Sequence, residues 1–249
     1  MTTVKFNSKD LPAFVRLVGR EITALPDISV NSMELPRQLG SSFLYTKLGS
    51  KKESLQFILI PTKVQTVDSA TTEFATWLRG NNFKPSKIEF TDKTGVYGMA
   101  QVNGSVTVSD LFVYGTLTVE FLYTDPLTYS NLTVNFTGTT AGTISYTGEV
   151  PQPPVIDFTT NAASTKIELS NSLVTQKVTL NGTFPSGTKV TVDMQKKLIK
   201  INGIVNMKVL ALSSEWFQLV KGSNVIRVSQ NNAQTTGLSL TVKSKVANY

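Results

Sequence analysis

The chain has 249 residues, 40% of them hydrophobic, and a formal net charge of +7 from 24 Lys and Arg against 17 Asp and Glu. It contains no Cys and no His, which excludes disulfides, thiolate metal sites, thiol nucleophiles, Ser-His-Asp triads and His-bearing metal centres. The length admits one or two domains, and Thr, Ser and Asn fill solvent-facing strand positions and turns.

Most of the chain reads as strands. Ser54–Pro61 (SLQFILIP) is a mostly apolar run suited to a buried strand, closed by Pro61. From Val67 to Arg79, residues Ala70, Phe74, Trp77 and Leu78 recur on one helical face. Asp68 or Ser69 is placed to cap the first turn, and Gly80 to end the helix in the left-handed conformation. Trp77 is therefore a core anchor. Lys87–Val102 reads as a hairpin turning at Asp92–Gly95. Ser105–Val108 and Gly115–Tyr123 follow as strands, the second with Leu117, Val119 and Phe121 on one face. One helix on a mainly antiparallel sheet gives this half an α+β character.

A boundary falls between Asp125-Pro126 and Pro154, and is placed near Leu132, dividing residues 1–131 from 132–249. Pro151–Pro154 is taken as a loop within the second domain, with a bridging segment as the competing reading. Beyond it, Thr133–Phe136, Thr143–Tyr146, Val155–Thr159, Thr165–Leu169 and Gln176–Leu180 read as short strands, and Asn181–Gly187 as a turn-rich loop. Thr188–Val192 pairs with Leu198–Ile201, Asn202-Gly203 turns the chain, and Ile204–Val209, Val225–Val228 and Leu238–Lys243 finish the domain. Short strands at regular spacing predict a β-sandwich.

Candidate chemistry is sparse. No phosphate-binding glycine loop and no nucleophile elbow is present. Asp157, Glu168, Asp193 and Glu215 lie on different predicted elements, and nothing in their spacing supports the carboxylate pair of a glycosidase. Trp216 and Phe217 are candidates for an aromatic, sugar-stacking surface, but a core role alongside Leu219 and Val220 is favoured. The densest basic runs, Lys51-Lys52 and Lys196-Lys197 with Lys200, sit beside predicted turns and read as solvated loops. No apolar run is long enough to span a membrane as a helix. Met1–Asp10 lacks a basic segment followed by an apolar one, so the expectation is a chain made and kept in a cytoplasm.

The order of the pieces resembles a family. LQFILIP (55–61), EFATWLR (73–79), KIEFTDKTGVYGMAQVNG (87–104) and LTVEFLYTDPLTYS (117–130) resemble the N-terminal domain of phage distal tail (Dit) proteins. The matching residues are Trp77, Leu78, Asp92, Tyr97, Phe121, Asp125, Pro126 and Tyr129. GTKVTVDMQKKLIKING (187–203) and WFQLVKGSNVIRV (216–228) resemble the same family's C-terminal domain.

The resemblance implies a mainly β protein. An N-terminal α+β ring-forming domain, sandwich- or barrel-like with one helix, is followed by a galectin-like β-sandwich domain. It implies a virion structural protein of long, non-contractile-tailed phages, made in the host bacterial cytoplasm and placed at the distal end of the tail. Six copies would form a homohexameric ring between the major tail (tube) protein and the tail-associated or baseplate proteins. DNA would meet it only in transit through the channel during ejection. No catalytic residue, cofactor or metal site is implied, and no membrane contact. The N-terminal domain would supply the ring contacts, through the exposed-strand character of Ser54–Pro61 and Gly115–Tyr123. Lys51, Lys52, Lys196 and Lys197 would lie mostly away from the channel, since a strongly attractive lumen slows DNA. The rival readings are another tail-tube or baseplate subunit, a carbohydrate-binding module using Trp216, and a carboxylate-only glycosidase.

Overall fold

The computed structural model describes residues 2–34, 39, 41–62, 66–110, 114–139, 141–231, 233–234 and 238–249. The protein is mainly β and separates into two compact units, Met1–Thr128 with Tyr249, and Tyr129–Asn248.

The first unit contains β1 (Val4–Phe6), β2 (Lys9–Asp10), β3 (Val15–Ile22), β4 (Ile28–Glu34), β5 (Ser41–Leu48), β6 (Lys51–Leu59), α1 (Val67–Leu78), β7 (Ser86–Phe90), β8 (Val96–Asn103), β9 (Ser109–Asp110) and β10 (Gly115–Tyr123). Antiparallel pairing runs β3–β6–β10–β8–β7–β1–β2, with β9 on the end of β10. β6 and β10 alternate strictly, so Leu55, Phe57, Leu59, Leu117, Val119 and Phe121 all point to one core. Helix α1 lays Ala70, Phe74, Trp77 and Leu78 on that core. Phe74 stacks on Trp77 at 5.4 Å, and Phe57 meets Phe74 edge-on at 5.2 Å. The Trp77 indole N–H donates to the Lys9 carbonyl at 3.3 Å.

The helix cap differs from the one expected. Thr66, not Asp68 or Ser69, is the N-cap: its hydroxyl accepts from the Ser69 amide at 3.2 Å, and the Ser69 hydroxyl accepts from the Thr66 amide at 3.1 Å. The threonine hydroxyls at positions 71, 72 and 76 donate to carbonyls one turn back, which satisfies them inside a helix that would otherwise disfavour them. Gly80 takes a φ of +52° just past the helix, as expected.

Ser105–Val108 is not a strand. Gly104 turns the chain with a φ of +75°, and pairing resumes only at Ser109–Asp110 against Thr116 and Gly115. No predicted strand covers the β4–β5 hairpin. It forms its own two-stranded sheet.

The second unit contains β11 (Thr128–Thr139, dividing from the first unit at its first residue), β12 (Ala141–Tyr146), β13 (Val155–Thr159), β14 (Ser164–Asn171), β15 (Lys177–Phe184), β16 (Lys189–Asp193), β17 (Leu198–Ile201), β18 (Ile204–Val205), β19 (Gly222–Gln230), β20 (Ala233–Gln234) and β21 (Leu238–Asn248). Leu132 lies within β11. One sheet runs β18–β17–β16–β13–β21–β11 and the other β12–β19–β14–β15, with β20 on β19. Between them lies an apolar core that includes Ile156, Val192, Val242, Ile167, Leu180 and Ile226, a β-sandwich.

Two local readings need correction. Asn181–Phe184 continues β15 instead of opening a loop, because it pairs across a bulge with Ser164–Lys166 and buries Phe184. Asn202 and Gly203 have φ of 50° and 83° and form the expected turn, but the returning strand stops at Val205. A 3₁₀ turn, Met207–Val209, follows it.

Candidate functional site

The carboxylates singled out in the sequence do not converge on a catalytic pair. Asp157 accepts from Thr191 at 2.7 Å and pairs with Lys243 at 2.8 Å. Glu168, on the opposite sheet, sits between Lys166 at 3.1 Å and Lys177 at 3.2 Å. The Lys166 hydrogen bond is the main cause holding its carboxyl below the ordinary range. Asp193 closes its own turn by accepting from the Lys196 amide at 2.8 Å. Among the described residues no group of acidic side chains is arranged to hold a metal ion.

The aromatic pair splits. Phe217 and Leu219 are core residues, fully buried, whereas Trp216 is only partly covered and faces an open depression. The basic runs split as well. Lys51 and Lys52 are part of β6, not a loop: Lys51 is largely buried beside Glu53 at 3.6 Å, and Lys52 pairs with Glu120 at 3.3 Å. A hydrogen bond from Asn103, foremost, and Lys52 hold the Glu120 carboxyl below its ordinary range. Lys196 and Lys197 are exposed on the turn between β16 and β17.

One polar network is buried inside the first unit. Glu53, 3% exposed, accepts from the Tyr123 hydroxyl at 2.7 Å and from Arg20 Nη2 at 3.3 Å with both carboxylate oxygens. The Arg20 guanidinium lies 3.5 Å over the Phe90 ring and 3.8 Å from Asp92. Burial, then the Glu53 charge, push the Tyr123 phenol well above its ordinary range. Gly98 leaves room for this phenol: a Cβ there would lie 2.5 Å from the Tyr123 ring. The network ties β3, β6 and β10 together through Arg20, Glu53 and Tyr123, and the desolvation of a buried ion pair offsets much of its attraction.

The surface with most to offer a partner is the β4–β5 hairpin. Its register pairs Ile28 with Leu48 and Val30 with Thr46, and a bulge then sets Phe43 opposite Ser32. Cross-strand partners share a face. The bulge therefore adds Phe43 to the face of Ile28, Val30 and Leu48, and these four are exposed by 65%, 49%, 64% and 40% respectively. A contiguous apolar stripe left open to water marks an interaction surface. The period-two alternation of ISVNS (28–32) signals the strand, though not that its apolar side stays open.

Ser54–Pro61 and Gly115–Tyr123 do not have the exposed-strand character expected of them. β6 is paired on both sides, by β3 and β10, from Glu53 to Leu59 apart from a bulge opposite β3. β10 is paired along its whole length by β6, and on its other side by β9 at Gly115–Thr116 and by β8 at Glu120–Leu122.

Comparison with known proteins gives two family models. A "Phage tail protein RIFT-related domain" matches residues 8–123, and a "Siphovirus-type tail component, C-terminal domain" matches residues 147–243. Together they span most of the chain. No curated protein matches. Among solved structures, the Dit protein of phage SPP1 is similar with a TM-score of 0.80 at 17% identity, over 98% of this chain and 99% of that one. That protein is described as a paradigm of the hub of the adsorption apparatus in phages infecting Gram-positive bacteria. The phage p2 baseplate, in its activated conformation with Ca, contains a chain similar with a TM-score of 0.51 at 6% identity, over 97% of each chain. At these identities the likeness establishes a shared fold.

Proposed function

This chain belongs to the siphovirus-type distal tail (Dit) family, and we propose that it is the hub subunit of a tail tip, six copies of which close into a ring. Its role as a phage tail and baseplate component, located in the virion tail, follows from the family. The finer reading is that residues 1–131 make the ring and residues 132–249 form a galectin-like domain that meets tail-associated or baseplate proteins. The ring joins the major tail protein to that baseplate and lets DNA through during ejection. It performs no catalysis.

The observation that carries the ring is the open stripe Ile28, Val30, Phe43 and Leu48. A hairpin that among the described residues joins no other strand, and that exposes apolar side chains, gains by lying on a neighbouring copy. A contact between two different patches of identical chains is heterologous, and closes into a ring when the rotation allows. The pairing of Lys51 with Glu53 and Lys52 with Glu120 supports a subunit in which one of the two basic runs does not bid for DNA.

The test is the mass of the purified chain by size exclusion with light scattering, followed by negative-stain imaging. A six-fold ring that reverts to monomers in Val30→Asp with Phe43→Ser, without loss of melting temperature, supports the reading. Long tubes would point to a tail-tube subunit instead. Hexamers formed by residues 132–249 alone, with 1–131 monomeric, would overturn the assignment of the ring to the first domain.

A further inference from the structure

The second unit has an open depression of about 740 Å³. It is built from separate loops: the stretch before β15, the turn between β16 and β17, and the irregular segment 215–220. Trp216 forms part of its wall, with Phe217 and Leu219 anchored in the core beneath. Around it stand Gln176, Gln195, Gln218, Glu215 and Lys197. Among the described residues, no hydrogen bond or ion pair within the chain engages these five side chains or the Trp216 indole N–H.

The backbone of the same depression is already committed. The Glu215 amide donates to the Lys177 carbonyl at 2.8 Å, and the Met194 amide to the Pro154 carbonyl at 3.0 Å. Leu219 and Gln152 exchange both of their backbone bonds, at 2.9 and 3.1 Å. The Gln218 carbonyl accepts from Asn171 at 3.2 Å, and the Val220 amide donates to Asn224 at 3.1 Å. An extended peptide adding itself as a strand would find few free groups here. Recognition has to run through side chains.

Those side chains define the ligand. One Lys and one Glu cancel, so neither an anion nor a cation is favoured. Three primary amides and a carboxylate offer donors and acceptors in the planar geometry that suits neighbouring hydroxyls. A single partly covered aromatic ring offers a stacking face, and the volume lies within the range of small-molecule sites. We propose that this depression binds a neutral saccharide, with Trp216 as the stacking platform and Gln176, Gln195, Gln218 and Glu215 reading the hydroxyls. The site is independent of ring formation.

The chain has two tryptophans, and Trp77 is buried with its N–H bonded to Lys9. Intrinsic fluorescence therefore reports ligand at Trp216. The full chain is titrated with chitotriose, maltotriose and cellotriose. A saturable change with at least one of them is expected. Glu215→Ala with Gln218→Ala, both exposed positions, should weaken it about tenfold without altering the melting temperature. Trp216→Ala, which removes the fluorescent reporter and is therefore titrated by isothermal calorimetry beside the unaltered chain, should abolish the binding heat. No saturable response to any of the three, or a response undiminished in the double variant, would overturn the proposal.

Discussion

Asn171 Nδ2 donates to Asn224 Oδ1 at 2.8 Å, and both side chains are buried, at 1% and 0% exposure. The pair ties β14 to the start of β19 and anchors the segment between them and Trp216. Asn171 also donates to the Gln218 carbonyl, while Asn224 donates to the carbonyls of Val220 and Gly222 and accepts from the Val220 amide. Two side chains thus satisfy a stretch that has almost no ladder of its own.

Asn224→Ala should be one of the costliest single changes in the second domain. It leaves the buried Asn171 amide and the half-buried Val220 amide and carbonyl without their partner at once, and an unsatisfied buried group costs about 1–3 kcal/mol. Urea unfolding should show a loss of at least about 3 kcal/mol, and hydrogen exchange should quicken at residues 218–224. Unchanged stability would mean that water replaces the amide freely.

Tyr123 gives the first domain an alkaline limit. Its phenol is raised above the ordinary value of 10.0 by burial and by Glu53. Below that value the folded and unfolded chains both keep the proton, so this group contributes no pH dependence. Above it the unfolded chain releases a proton that the folded chain retains, and stability falls by about 1.4 kcal/mol per pH unit from this group. Tyr123→Phe should remove that slope between pH 10 and 12. It should also cost about 1.5–3 kcal/mol at neutral pH, through the lost hydrogen bond to a charged carboxylate.

Gly98→Ala tests the packing around the same phenol. A Cβ at 2.5 Å from the Tyr123 ring forces the ring, and with it the bond to Glu53, to shift. The expected cost is about 1–3 kcal/mol by chemical denaturation. Combining it with Tyr123→Phe should be less than additive, because the two changes damage one network.

Thr66→Ala removes the helix cap without touching the core. A loss of about 1 kcal/mol is expected, read as a lower midpoint with an unchanged denaturant slope. Asp68→Ala should cost less, since Asp68 lies in the first turn and does not cap it.

What the sequence determined by itself is the local geometry. The spacing of Ala70, Phe74, Trp77 and Leu78 carried the helix face, and the alternation in Gly115–Tyr123 carried its buried side, because both periods are properties of the backbone. The absence of His and Cys closed most catalytic chemistry before any fold was considered. The order of the strands and turns carried the family resemblance. What only the tertiary structure decided is which surfaces stay open. Trp216 and Phe217 are neighbours in sequence with the same composition signal, yet one lies in the core and the other beside a groove. Ser54–Pro61 is enclosed by strands from both directions along the chain, and the β4–β5 hairpin is left with an apolar face. Exposure depends on what distant segments cover, and periodicity within one segment carries no information about its neighbours in space.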